Sequence, residues 1–97
     1  LADRIELLKR AWPELSERIR ATLFSAEDVY ERLAVVGAPN HPSQIGVGWD
    51  RFRASYLRAG AIRKRYTVLD TASELGILEE LVDELFAPDG FWGRRQP

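Results

Sequence analysis

An all-α fold follows from three observations on the sequence. Apolar residues recur at steps of three and four over most of the chain, and residues that start and stop helices stand where those runs begin and end. No stretch of alternating apolar and polar residues competes with that pattern. A compact array of about five helices is expected, as helix-only chains of 97 residues usually pack. That length suits one modest hydrophobic core, so residues 1–97 are expected to form a single helical domain.

Between Ala2 and Phe24 the residues Ile5, Leu8, Trp12, Leu15, Ile19 and Leu23 share one helical face, and charged residues fill the other. Proline suits the first turn of a helix and spoils its interior. Pro13 therefore predicts two helices or one kinked helix, with the break near Trp12. Ser25 offers a side-chain oxygen to the free amides of a new first turn, and Glu27 and Asp28 suit its positive end. Gly37 ahead of Pro39 supplies the stop, which gives a helix over 26–36. The following segment, GAPNHPSQIGVG at 37–48, holds three of the seven glycines and two of the five prolines. It reads as a connector with at most one short helical turn.

Beyond the connector, Trp49, Phe52, Tyr56, Ala59, Ile62 and Tyr66 step along at three and four, an aromatic-rich stripe expected to pack against the earlier helices. Thr67 with Asp70 three places on has the makings of a capping box, and Gly76 can end the turn it opens. Leu78, Leu81, Val82 and Leu85 mark a last amphipathic helix that stops before Pro88. In the tail, DGFWGRRQP, Phe91 and Trp92 look exposed among glycines and charges.

Composition narrows the function classes. The formal net charge of −1, with 45% hydrophobic and 30% charged residues, is ordinary for a folded chain. No apolar run approaches a membrane span and no signal-peptide pattern is present, so no membrane association and a cytoplasmic setting are expected. Cysteine is absent, which removes disulfides, thiol nucleophiles and thiolate metal sites. Methionine is absent too, and Leu1 already lies within an amphipathic segment, so the chain reads as a piece of a longer protein.

Candidate chemistry is sparse. His41 is the one histidine and sits between Asn40 and Pro42, where a solvent-facing turn residue is the simplest reading, without a visible acid–base partner. Glu79, Glu80, Asp83 and Glu84 fall at helical spacings, but alternation with Leu78, Leu81, Val82 and Leu85 makes them the outer face of a helix rather than a metal site. No serine or threonine stands beside a plausible base, and Gly46 and Gly48 lack the strand and third glycine of a phosphate loop. The cations Arg51, Arg53, Arg58, Arg63, Lys64 and Arg65 form one block, and the acids from Asp70 to Asp89 form the next. The two blocks can neutralise one another, and the balance of charge argues against a nucleic-acid partner.

Three ordered pieces of residues 37–78 go beyond pattern: G-A-P at Gly37 to Pro39, P-x-x-I-G at Pro42 to Gly46, and I-R-x-R-Y-T-x-L-D at Ile62 to Asp70. In these the chain resembles the extreme C-terminal region of the NAD(P)-dependent glycerol-1-phosphate dehydrogenases, within the iron-containing alcohol dehydrogenase and dehydroquinate synthase superfamily. The resemblance implies a parent oxidoreductase with an N-terminal α/β domain for NAD(P) and a helical domain holding a divalent metal through one aspartate and two histidines. Those ligands would precede Leu1. The resemblance therefore assigns no catalytic, cofactor-binding or metal-binding residue and no cofactor to this chain, and the isolated chain is expected to have no turnover of its own. The expected partner is the remainder of the parent enzyme, its α/β domain and metal-binding helices.

Arg63, Arg65 and Tyr66 are the candidates for a ligand or interdomain contact. A guanidinium fork suits phosphate, and it suits a carboxylate or a helix C-terminal carbonyl equally well. Arg63 and Arg65 are two apart and so point to different sides of a helix, leaving at most one to face a common ligand. The alternative function is a stand-alone helical module for protein–protein interaction. It would use apolar surface at Trp12, Phe91 or Trp92, which also leaves room for self-association.

Overall fold

A computed structural model describes residues 1–62 and 66–97. It is all-α: five α-helices and three short 3-10 turns, with no strand among the described residues. By their contacts the residues divide into two compact units, Leu1–Ala38 and Pro39–Pro97.

In the first unit, α1 spans Ala2–Thr22 and α2 spans Ala26–Val35. The break expected near Trp12 does not divide the helix in two, since Pro13 lies inside α1. Proline removes one amide donor, while the hydrogen bonds on either side continue the helix, as Ile5 N to Leu1 O (3.0 Å) and Leu23 N to Ile19 O (2.9 Å) show at its ends. Ser16 Oγ donates to Pro13 O at 3.1 Å. An interior proline still costs about 3 kcal/mol, and α1 has no buried residue to offset it. The start of α2 is as expected, with Ser25 Oγ accepting from Asp28 N at 3.1 Å. Its end is a Schellman turn. Gly37 takes φ 75°, where a side chain would be strained, and the Gly37 and Ala38 amides close on Ala34 O (3.0 Å) and Leu33 O (2.9 Å).

The second unit opens on the 3-10 turn Pro42–Ile45, the one short turn anticipated in the connector. It is followed by α3 (Trp49–Arg58), a 3-10 turn at Ala59–Ala61, α4 (Val68–Glu74) and α5 (Leu78–Phe86). Thr67 and Asp70 form the capping box of α4. Asp70 Oδ2 accepts from Thr67 N at 2.6 Å, and Thr67 Oγ1 accepts from Leu69 N at 3.2 Å. Gly76 (φ 74°) repeats the Schellman turn of Gly37, with Ile77 N reaching Ala72 O at 3.0 Å. Both α3 and α4 pack on α5. The apolar core centres there, on Val82 (1% exposed) and Ala72 (5%).

Within the second unit the aromatic stripe packs on α5 and the tail, which follow it in the chain. Trp49, Phe52 and Tyr56 of α3 meet Phe86 of α5 at ring separations of 5.3, 5.8 and 5.8 Å, all near edge-to-face. Such pairs each contribute about 0.5–1.5 kcal/mol beyond area burial. Trp92 is half-buried rather than exposed and inserts beside Phe52 at 4.8 Å. Two glycines allow this return of the tail. A Cβ on Gly90 would stand 2.0 Å from Glu84 O, and one on Gly93 would stand 1.6 Å from Ala87 O. With neither present, Trp92 N reaches Leu85 O at 2.8 Å and Gly90 N reaches Ala87 O at 2.8 Å. The tail thereby satisfies carbonyls at the end of α5 that the helix leaves open.

Candidate functional site

Three polar side chains of the second unit, His41, Tyr56 and Trp92, meet in the aromatic cluster. His41, expected to face solvent, is half-buried. Its ring stacks on Trp49 at 5.6 Å and 14°, and it meets Trp92 edge-on at 6.0 Å. Nδ1 accepts from Ser43 N at 3.2 Å and lies 2.7 Å from Ser43 Oγ, while Nε2 lies 2.8 Å from Arg95 O. A carbonyl can only accept, so the proton sits on Nε2. One imidazole thus caps the 3-10 turn with one nitrogen and holds the chain's last turn, Gly93–Arg95, with the other.

The sequence carries a signal for this role in H-P-S-Q. Gln44, three residues after His41, returns its Oε1 to the Asn40 and His41 amides at 2.6 and 3.0 Å, the second half of a capping box. Histidine is not among the usual capping residues, which is why the pattern reads as an ordinary turn.

Trp92 Nε1 donates to Tyr56 Oη at 2.8 Å, so the indole that fills the cluster has its one polar atom satisfied inside it. Arg53 pairs with Asp83 across α3 and α5, its guanidinium 5.7 Å from the Phe86 ring centre. This is one contact between the basic and acidic blocks. At side-chain exposures of 37% and 68% it contributes little to stability.

Of the candidate contact residues, Arg63 and Arg65 lie outside the described residues, as does Lys64. Tyr66 is described and exposed. Its hydroxyl donates to Glu74 Oε2 at 2.8 Å and accepts from Thr71 Oγ1 at 3.0 Å, so it is engaged with α4. Phe91 is half-buried, with Arg95 stacked over it at 4.0 Å. Trp12 in α1 is 51% exposed.

The described residues do not fit the metal and nicotinamide groups that the resemblance implies for a parent enzyme. No group of three or more His, Cys, Asp or Glu converges among them, and both nitrogens of His41 are already occupied by this chain's own atoms. A nicotinamide dinucleotide is usually held by a glycine-rich turn between a strand and a helix, and the described residues contain no strand. An apolar groove lined by Tyr56, Val68, Leu69, Leu78, Leu81 and Leu85 has Glu84 as its one charged wall residue and no cation among its lining residues to hold a phosphate. Among the described residues no helix is long and apolar enough to cross a membrane. No protein-family model, curated protein or solved structure matches the chain.

Proposed function

We propose that this chain is the C-terminal helical module of a glycerol-1-phosphate dehydrogenase-like oxidoreductase, cytoplasmic in setting, which completes the helical domain and supports the active-site cleft without catalysing a reaction itself. NAD(P) and a divalent metal would belong to the rest of that enzyme. One observation carries the reading. The three sequence pieces of the resemblance coincide with backbone joints: Gly37 in the left-handed turn that ends α2, Pro42 to Gly46 in the His41-capped turn, and Thr67 to Asp70 in the box that starts α4. Residue types at such joints are dictated by backbone geometry, so shared pieces there favour a shared scaffold over a shared ligand site.

The test is complementation. A glycerol-1-phosphate dehydrogenase truncated before the corresponding residues is expected to regain NAD(P)H-dependent reduction of dihydroxyacetone phosphate when this chain is supplied in trans. The purified chain alone is expected to show none. Two folded parts that never restore activity, or turnover by the isolated chain, would overturn the proposal.

A second reading, a free-standing interaction module, is favoured by one feature. Helix α1 carries Leu7, Trp12, Leu15 and Ile19 all at least 37% exposed. It predicts association with a partner, or with itself, through α1. Sedimentation across a wide concentration range checks the self-association, and a strictly monomeric chain would exclude it.

A further inference from the structure

The apolar face of α1 has a period of its own. From Ile5 to Ile19 the steps run three, four, three, four, so Ile5, Trp12 and Ile19 take the first position of a seven-residue repeat, and Leu8 and Leu15 take the fourth. Such a strict stripe is the narrow seam by which one helix pairs with another. Trp12 is 51% exposed, Leu15 37% and Ile19 39%, and no residue of α1 is buried. Pro13 falls in the second position, outside the seam.

Charge is sorted around that seam. The positions that border it are Arg4, Lys9, Ala11, Ser16 and Arg18, so every charge at the border is positive. The helix's four acids, Asp3, Glu6, Glu14 and Glu17, all lie at positions away from it. The ion pair between Lys9 and Glu6, 3.6 Å long with both side chains about two-thirds exposed, is too weak to withhold Lys9 from another carboxylate.

We propose that this seam docks one α-helix of stated chemistry: apolar at its own first and fourth positions, with Glu or Asp at the positions bordering them. Border charges of this kind choose partner and orientation in paired helices. They also disfavour a second copy of α1. A parallel pair would set Arg4 of one copy against Lys9 of the other, and an antiparallel pair would set cation against cation along both borders. An anionic membrane is a poorer match. Interfacial helices carry a strongly cationic polar face, whereas here five cations meet four acids and the acids occupy the back. The proposal rests on the dehydrogenase reading only for which protein carries the partner helix.

The whole 97-residue chain is titrated by calorimetry with two synthetic peptides of residues 1–24. One has the native sequence, and the other carries Arg4→Glu, Lys9→Glu and Arg18→Glu together. The acid-bordered peptide is expected to bind about tenfold or more tightly, the weight of a few border charge pairs, with the preference shrinking as salt rises. The same three substitutions placed in the chain must reverse the preference, which removes any effect of peptide helicity. Equal affinities, an unreversed preference, or binding of the chain to phosphatidylserine vesicles in place of the peptide would overturn the proposal. Failure here leaves the complementation experiment untouched, because the peptide measurement involves no dehydrogenase.

Discussion

The two units differ in what packs on their helices. In residues 39–97, α3, α5 and a returning tail bring Trp49, Phe52, Tyr56, Phe86 and Trp92 together, His41 packs on two of these rings, and the His41 and Trp92 ring nitrogens all have partners. In residues 1–38, α1 is the longest helix of the chain, yet it contains a proline and has no buried residue. Isolated helices shorter than about 12–15 residues are marginal in water, and in folded proteins most helical stability comes from packing of the apolar face rather than from propensity. The second unit therefore contains its own stabilising contacts, while α1 presents a face whose stabilisation must come from what packs on it.

Three substitutions test that contrast, each followed by urea unfolding with far-ultraviolet circular dichroism and the fluorescence of the tryptophans present, two in each tryptophan variant and three in Gly93→Ala. The largest effect is expected for Trp92→Ala. It removes the ring beside Phe52 and leaves Tyr56 Oη without its donor, and it should cost about 3 kcal/mol, the lower end for a large aromatic because the site is half-buried. A loss below about 1 kcal/mol would mean that the cluster is not the unit's core. Gly93→Ala should cost about 2 kcal/mol, as an overpacked contact does. Its new methyl would collide with Ala87 O, so the tail should detach and His41 should lose Arg95 O. An unchanged midpoint would show that the close approach is dispensable. Trp12→Ala should leave the midpoint of the second unit within about 0.5 kcal/mol, as substitutions at exposed sites usually do. A larger shift would erase the contrast, and an effect confined to binding of the acid-bordered peptide would sharpen it.

Much of the backbone was legible because its punctuation is local. Ser25, Gly37, Thr67 with Asp70, and Gly76 each act within about five residues, so their pattern in the sequence is also their structure. What spans the chain was harder to read. Nothing near Trp92 announces that it will seat against Phe52, because the permission lies in two glycines whose missing Cβ atoms matter only once α5 is beside them. His41 was read as a turn residue for the same reason, since its second partner is 54 residues away. Pro13 predicts either two helices or one kinked helix, and the chain forms one, because a single lost amide donor leaves the bonds on either side in place. The cations at Arg63 to Arg65 lie outside the described residues, and of the candidate contact residues Tyr66 is the one described, bonded to Glu74 and Thr71.

The joint at His41 also bears on the order of events in folding. Its bond to Arg95 O and the Trp92 bond to Tyr56 Oη link residues 54 and 36 apart, whereas the helix caps link neighbours. Caps and single turns form on the submicrosecond to microsecond scale, while the entropy of closing a long loop is lost before its contacts stabilise anything. The tail is thus expected to arrive last and to leave first, so that opening of the second unit would begin where His41 Nε2 releases Arg95 O at the C-terminal end.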